Sequence, residues 1–358
     1  MSQYLSASSI AKEVQSRKTT AVEHCNAALT RAKNENPSCL ALRTIDSDTA
    51  IKRAQEIDAL VQSGAKLPLA GVPVVIKDNI AQAGRVIGAG RPDGAGAVAQ
   101  IDSPLVTRLT EAGAVIIGRA NMDELAYGVT GSNPHTGQVK NPRNLECHPG
   151  GSSAGSAASI AATMVPLAIG TDTAGSVRIP SSMCGLVGLR PTAGLLPSQG
   201  IAPLSRSLDT AGPIARNVDD LALFLSVLAG NPALANATRE PIPAGTRAVA
   251  LTGKFAIEID PEIREIFESV VGKFEKLGIG VIKKEEPAIA DGPKASGPII
   301  GAEASYAWAK ELEAHPEWFG DEVRGHLTKG ATILATRYLR AIDDANRVTA
   351  AVNRLFQD

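Results

Sequence analysis

Apolar positions along the chain fall into two recurring patterns. Residues 71–76 and 114–117 are almost unbroken apolar runs rich in Val and Ile, which is typical of strands buried on both faces. Residues 6–18 and 50–61 instead carry apolar side chains at helical spacing, which predicts amphipathic helices. Because strands and helices alternate in this way, the pattern favours a doubly wound α/β layer.

Residues with capping chemistry mark where several helices begin. Thr20 opens a capping box, and Ser103 precedes a predicted helix over 104–112. Asn121 is expected to cap a helix over 122–127. The other predicted elements are a loop over 131–149, a helix over 155–164, strands over 165–169 and 185–189, a loop over 205–217, a helix over 219–228, a connector over 231–246, strands over 248–251 and around 281, and helices over 261–277, 302–313, 322–329 and 337–356.

Composition excludes several classes of protein. Hydrophobic residues make up 44% of the 358 residues and charged residues 20%, which supports a sizeable core and argues against disorder. The formal net charge of −1 provides no electrostatic footprint for direct nucleic-acid or membrane binding. Four cysteines without a CxxC pair predict neither a disulfide framework nor a zinc site. With neither a signal-peptide pattern nor an apolar window of about 18 residues, the chain is expected to be cytoplasmic.

Residues 149–192 form the most unusual stretch of the chain. Glycines stand beside serines in two separate turns, GGSS at 150–153 and GTDTAGS at 170–176. Glycine lets a ligand approach the backbone closely, so both turns are candidates for binding or chemistry. A serine hydroxyl becomes a useful nucleophile only when a neighbouring base takes its proton. For Ser156 and Ser159, in the helical run after the first turn, packing on a helix surface is the preferred interpretation.

Three familiar arrangements of catalytic or binding residues are not supported by the sequence. Ser153 is the centre of a literal GxSxG, but a nucleophile elbow must follow a buried strand, and residues 144–149 are polar. The glycine-rich turn lacks the GK[ST] ending of a phosphate-binding loop. Ser63 and Lys66 have SxxK spacing, but they lie in a glycine turn instead of on a helix.

Lys77 ends a predicted strand, and on spacing alone a surface lysine is the favoured interpretation over a base. The run GGSSAGSA…GTDTAGSVRIP…CGLVGLRPT resembles the amidase signature family, as do the approach loop PHTGQVKNPRNLECHPGGSS and the strand ending at Lys77. The resemblance extends from the N-terminal helices to the last residues. It implies a three-layer α/β/α fold in which helices cover both faces of a large mixed β-sheet.

The same resemblance implies one amidase domain over residues 1–358. Its parts would be N-terminal helices over about 1–65, a signature core over about 66–230, and a C-terminal α/β part over about 245–358. Relative to the family pattern, the last part is expected to lack a final strand and further helices. Such a chain is either a short or a truncated member, and its activity is open.

The resemblance also assigns roles to single residues. Ser176 would be the nucleophile that forms an acyl-enzyme, Ser152 a proton-relay serine held by a cis peptide bond, and Lys77 the general base. To accept a proton, a lysine needs its pKa lowered from about 10.4 towards about 7, a change of about 4 kcal/mol that burial can supply. The remaining implied assignments are an oxyanion hole from the amides of Thr173, Ala174, Gly175 and Ser176, a buried ion pair of Asp172 with Arg178, and Ser153 in the same network.

Two residues in and near the second turn depart from the family pattern. Ala174 stands where many members have glycine, which narrows the turn but keeps its amide. Arg190 stands where lysine is common, and no consequence is expected from this exchange.

The predicted function is hydrolysis of the C–N bond of a linear carboxamide, giving an acid and ammonia or an amine, with no metal or organic cofactor. One alternative is the glutaminase-type subunit of a tRNA-dependent amidotransferase, which works with a partner. That subfamily is expected to carry an arginine near residues 319–322, where this chain has Arg324, Gly325 and His326. A second alternative is a catalytically impaired homologue that binds without reacting. The substrate is not identified, although Tyr127, Tyr306 and Trp308 are candidates to line a pocket, and a homodimer is left open.

Overall fold

The computed structural model describes residues 6–253 and 259–357. The chain forms two compact units. The first comprises Met1–Thr238 with Ala307–Gly325, and the second comprises Arg239–Tyr306 with His326–Asp358. The single-domain organisation expected from the family resemblance stays a prediction.

Three helices open the first unit: α1 (Ala7–Gln15), α2 (Ala21–Cys39) and α3 (Ser47–Gln62). Their starts follow local chemistry that is visible in the sequence. The Thr20 hydroxyl accepts a hydrogen bond from the Glu23 amide, and the Glu23 carboxylate accepts one from the Thr20 amide, so the predicted capping box is present.

A six-stranded mixed sheet forms the centre of this unit. The strands are β1 (Leu42–Ile45), β2 (Pro73–Lys77), β3 (Val115–Ala120), β4 (Leu167–Asp172), β5 (Val187–Gly188) and β6 (Thr210–Ala215). Their order in the sheet is β1-β3-β2-β4-β6-β5. Strands β3, β2 and β4 are parallel, while β1, β6 and β5 run antiparallel to their neighbours. Such a parallel centre is buried on both faces, which explains the unbroken apolar runs.

Helices cover the sheet, as the three-layer prediction requires. Helix α3 packs against β3, α5 (Ala154–Ala161) packs against β2 and β4, and α7 (Val218–Ala229) packs against β6. Two shorter helices, α4 (Pro104–Glu111) and α6 (Arg178–Met183), complete the layers. The mixed α/β fold class predicted from the sequence is confirmed.

The loop predicted over residues 205–217 is wrong. These residues contain β6, a fully buried strand that pairs antiparallel with β4. Its sequence TAGPIA hides the strand, because glycine and proline are rare in strand interiors. Glycine is needed here, because a Cβ on Gly212 would lie 2.4 Å from the Leu189 carbonyl oxygen.

The helix predicted over residues 122–127 is also wrong. The chain forms only a 3-10 turn, Glu124–Ala126, in which Leu125 and Ala126 have φ values of 52° and 59°. These left-handed conformations cannot continue an α-helix. Asn121 accepts a hydrogen bond from the amide of the very next residue, Met122, rather than capping a helix. The buried strand predicted over 185–189 is reduced to the two partly exposed residues of β5.

The C-terminal part of the chain repeats the alternation of strand and helix. Strands β7 (Arg247–Thr252) and β8 (Gly280–Glu285) are parallel, and α8 (Pro261–Lys276) lies between them in sequence. Helices α9 (Gly292–Ala314), α10 (Asp321–Gly330) and α11 (Ala335–Leu355) follow. Within residues 6–253 and 259–357, no helix combines the length and the apolar character that a membrane crossing requires.

Candidate active site

Lys77 is the last residue of β2, and its side chain is fully buried. Its Nζ donates hydrogen bonds to Ser152 Oγ at 2.8 Å and to Thr171 Oγ1 at 2.9 Å. Burial lowers the pKa of Lys77 to about 7, although the negative charges of Asp123, Asp209 and Asp172 oppose the shift. A lysine of this kind exchanges its proton near neutral pH, as a general base must.

Ser152 stands just before α5, and the peptide bond between Gly151 and Ser152 is cis. Position 151 has no room for a side chain, because a Cβ there would lie 2.3 Å from Asp123 Oδ1. The Asp123 carboxylate is held in place by the amides of Thr130 and Gly131. Burial raises the pKa of Asp123. The first glycine-serine turn is therefore shaped around this carboxylate.

Ser153 connects the two glycine-serine turns. Its Oγ donates to the Thr171 carbonyl at 3.1 Å and accepts from the Thr171 amide at 3.2 Å. Its amide donates to the Ser176 carbonyl at 3.1 Å. A Cβ on Gly170 would lie 2.5 Å from Ser153 Oγ, so glycine at 170 permits this contact. The two turns, which are separate in sequence, are thus joined directly.

Ser176 lies in the turn that follows β4 and is 6% exposed. The fully buried Asp172 carboxylate organises this turn by accepting from the Gly175 amide at 2.8 Å and the Val177 amide at 3.2 Å. Burial acts to raise the pKa of Asp172, but the hydrogen bonds and charge of Arg178 outweigh it and lower the pKa to about 2. The carboxylate is therefore ionised at neutral pH.

The ion pair predicted between Asp172 and Arg178 is present, with Arg178 Nε 3.0 Å from Asp172 Oδ2. Only the Asp172 end of this ion pair is buried, because the Arg178 side chain is 52% exposed. Arg190 is a second partner, for which the sequence suggests no role. It donates to the Asp172 carbonyl, to Asp172 Oδ1 at 3.2 Å and to the Leu208 carbonyl at 2.8 Å. Arg190 thereby ties the Ser176 turn to the segment before β6.

Replacing Asp172 with Asn is expected to destabilise the fold by about 3 kcal/mol, because two arginines lose their ionic partner. The lowered pKa makes this contribution present above pH of about 4 and lost as the pH falls through about 2. Urea unfolding at neutral pH checks the magnitude. Asp343→Asn, at an exposed position of α11, is the control, and equal effects of the two substitutions would contradict the role of Asp172.

Several polar residues around the site are not indicated by the sequence. Asp209 accepts from Thr173 Oγ1 at 2.6 Å and from the amides of Leu204 and Ser205, and burial raises its pKa. The sequence around it predicts only a loop. Asn79 is 2% exposed, and its Nδ2 donates to Thr171 Oγ1 at 3.1 Å. The roles of both residues depend on contacts distant in sequence, for which no local pattern exists.

Ser156 and Ser159 lie in α5, and packing is the preferred interpretation for both. Both are fully buried, and their hydroxyls donate to the carbonyls of Ile169 and Ser156. These bonds satisfy the hydroxyls within the α5 interface, which is a packing role.

The aromatic residues expected to line a pocket have different environments. Trp308 is 5% exposed, its Nε1 donates to the Pro203 carbonyl, and the guanidinium of Arg91 lies 4.7 Å from its ring centre. Tyr306 is 77% exposed, and Tyr127 is partly buried. Arg324 forms an ion pair with Asp321. In the described part of the chain, no group of three or more His, Cys, Asp or Glu side chains is placed to hold a metal ion.

Proteins of known family match this chain along most of its length. A family model described as Amidase matches residues 23–358. A glutamyl-tRNA(Gln) amidotransferase subunit of Symbiobacterium thermophilum is 36% identical over 355 residues, covering 90% of this chain and 72% of that protein. The protein of the same name in Geobacter sulfurreducens is 35% identical over 338 residues, covering 91% and 68%.

Solved structures agree with the family match. A structure described as a vestigial protein complex that reveals the evolutionary origins of an s-triazine catabolic enzyme has a TM-score of 0.91 and 32% identity, over 99% of this chain and 79% of that one. Peptide amidase from Stenotrophomonas maltophilia has a TM-score of 0.82 and 28% identity, over 96% and 79%. Because the family model covers most of the chain and relatives exceed 30% identity over two thirds of their length, the chain belongs to the Amidase family.

Proposed function

We propose that this protein hydrolyses a carboxamide C–N bond through an acyl-enzyme on Ser176. The observation that carries the proposal is the fully buried Lys77, with a pKa near 7 and with Nζ 2.8 Å from Ser152 Oγ. A lysine that is neutral at physiological pH and bonded to a serine is the activating base that serine nucleophiles require. The direct bond between the Ser153 amide and the Ser176 carbonyl keeps the relay serine and the nucleophile in adjacent turns.

The proton steps follow from this order of groups. Ser176 Oγ attacks the amide carbonyl carbon while its proton passes to Ser152 Oγ, and the proton of Ser152 passes to Lys77 Nζ. When the C–N bond breaks, Ser152 gives its proton to the leaving nitrogen, and Lys77 returns a proton to Ser152, while Ser176 Oγ stays bonded to the acyl group. Water then attacks the acyl-enzyme by the same relay, which releases the acid and regenerates Ser176.

The oxyanion of the tetrahedral intermediate needs backbone donors that are not already committed. The Gly175 amide donates to Asp172 Oδ1, so the amides of Thr173, Ala174 and Ser176 are the better candidates among the four predicted. Asp172 would then act by holding the turn that presents these amides, with Arg178 and Arg190 keeping it ionised and oriented.

The direct test is ammonia release from a panel of simple aliphatic, aromatic and peptide C-terminal amides, measured from pH 5 to 9. Hydrolysis of at least one amide is expected, with kcat/KM rising about tenfold per pH unit below pH of about 7 and levelling above it, because only neutral Lys77 accepts a proton. A rate that falls as the pH rises through 7 would contradict Lys77 as the base.

A second candidate function rests on the relatives. Both sequence relatives described above are named as subunits of glutamyl-tRNA(Gln) amidotransferase, so glutamine would be the amide and a partner protein would receive the ammonia. The match spans 72% and 68% of those proteins. Residues 319–322 contain no arginine, so Arg324 would have to replace the arginine expected there. Glutamine hydrolysis that occurs only when a partner protein is added would favour this function over a free-standing amidase.

A binding homologue without activity is the third interpretation. A fluorophosphonate probe separates it from both enzymes, because the probe reacts with an activated serine whatever the natural amide is. We expect stoichiometric labelling of the wild-type protein.

A further inference from the structure

Lys77 Nζ contacts two hydroxyl groups, and in the neutral amine only one of them can donate a hydrogen bond to the single lone pair. A neutral amine has two N–H bonds and one lone pair. The contacts to Ser152 Oγ and Thr171 Oγ1 are almost equal, at 2.8 and 2.9 Å. The relay of the proposed function, on which this inference rests, works only when the lone pair faces the Ser152 hydroxyl. If Thr171 donated its proton to Nζ instead, Ser152 would face an N–H and could not be deprotonated.

The side chain of Asn79 lies where it can determine whether the lysine lone pair faces Ser152 or Thr171. As assigned, its Nδ2 lies 3.1 Å from Thr171 Oγ1, while Oδ1 is buried without a hydrogen-bond partner among residues 6–253 and 259–357. The two ends of an asparagine amide have the same shape, so a half-turn exchanges Oδ1 and Nδ2 without steric change. With Oδ1 towards Thr171, the amide accepts the Thr171 proton. The Thr171 oxygen is then restricted to accepting an N–H from Lys77.

The position of Asn79 is held firmly from both sides. Its carbonyl accepts from the Ala202 amide at 2.8 Å. Arg119 Nη2 donates to the carbonyls of Asp78 and Ile80, the residues before and after Asn79, at 2.9 and 2.8 Å. The side chain itself is 2% exposed. A backbone fixed at three consecutive residues gives the amide a constant distance to Thr171, which a positioning role requires.

Thr171 is equally constrained. It lies in β4, and its backbone amide and carbonyl are both bonded to Ser153 Oγ. Its hydroxyl therefore has one remaining freedom, rotation of the O–H bond. Asn79 is a side chain that can remove that freedom without adding charge next to Lys77.

We propose that Asn79 is a positioning residue that takes the hydroxyl proton of Thr171, so that Thr171 accepts from Lys77 and the lysine lone pair is directed at Ser152. In this role Asn79 touches neither substrate nor reacting atoms, and it acts through Thr171 alone. Such a role predicts that the two residues form one functional unit.

The test is a double-mutant cycle on amide hydrolysis with Asn79→Leu and Thr171→Val. Each single variant is expected to lower kcat by about 10- to 100-fold with little change in KM, because alignment of the base is lost and substrate contacts are not. In the Thr171→Val background, Asn79→Leu should have no further effect on kcat. Thr171→Ser, which keeps the hydroxyl, should retain activity close to wild type.

A control and a contrary result separate positioning from general damage. Asn133→Leu removes another buried asparagine, whose Nδ2 donates to the carbonyls of Gly90 and Met122. Its effect on kcat should be the same factor in the wild-type and the Thr171→Val backgrounds, because the two residues share no contact. Effects of Asn79→Leu and Thr171→Val that multiply in the double variant, or an unchanged kcat in Asn79→Leu, would overturn the proposal. Wild-type protein that hydrolyses no amide and takes no fluorophosphonate label would instead overturn the proposed function.

Discussion

Ser176→Ala is expected to abolish fluorophosphonate labelling and to lower amide hydrolysis by at least about 10³-fold. The substitution removes the atom that forms the acyl bond in the proposed mechanism, and loss of a serine nucleophile has effects of this size or larger. The fold should be unaffected, because the turn is held by the hydrogen bonds of Asp172. Labelling followed by intact-mass measurement checks the result.

Ser159→Ala is the matched control for this experiment. Ser159 is fully buried, but its hydroxyl donates to the Ser156 carbonyl inside α5, away from the relay. It should label as the wild type does and lose at most about 1 kcal/mol of stability. If Ser176→Ala is labelled at the wild-type rate, Ser176 is not the nucleophile, and peptide mapping of the labelled site identifies the residue that is.

Lys77→Met is expected to remove activity and, at the same time, to stabilise the protein. Keeping Lys77 buried costs folding free energy at any pH below its usual pKa, because the folded chain must either bury the charged amine or give up the proton that the unfolded chain holds. With a folded pKa of about 7 against a usual 10.5, this cost reaches about 5 kcal/mol below pH 7. Methionine removes this cost but also removes the hydrogen bonds from Lys77 Nζ to Ser152 and Thr171, at about 1–3 kcal/mol. A net gain of about 2–4 kcal/mol follows from the difference.

The stability difference between Lys77→Met and the wild type is expected to change with pH. Between pH of about 7 and 10.5 the unfolded wild-type chain binds a proton that the folded chain does not, so wild-type stability rises with pH. The Met variant lacks that rise, so its advantage over the wild type should be largest below pH 7, fall to zero between pH of about 8 and 10, and reverse above that range. Urea unfolding at pH 6, 8 and 9.5 measures it. Lys66→Met, at an exposed position, should show no such trend, and a constant difference in Lys77→Met would refute the role of burial.

Much of the fold is predictable because its determinants are local. The Thr20 capping box and the apolar runs of β2 and β3 operate through neighbours in the chain, and the structure contains all three. Strand β6 has no such signal, because its glycine and proline serve the close packing around Gly212 instead of strand propensity. The turn at Glu124–Ala126 is equally hidden, because its left-handed residues are leucine and alanine, which carry no turn signal.

The candidate site likewise contains residues that the sequence indicates and residues that it does not. The family motif points to Lys77, Ser152 and Ser176, and the structure places Lys77 and Ser152 in direct contact. The family motif gives no role to Arg190 and Asn79. Their partners Asp172 and Thr171 lie on β4, in another part of the sequence. Nothing in the residues around them distinguishes a positioned side chain from a surface one.

The sequence by itself determined the family, the mixed α/β architecture and the residue types available for chemistry, because periodicity, caps and motifs are properties of neighbouring positions. Only the tertiary structure decided which of those residues meet and with what charge. The pKa of Lys77 falls to about 7 because the sheet and its helices exclude water from a side chain whose strand, taken alone, could equally have ended at the surface.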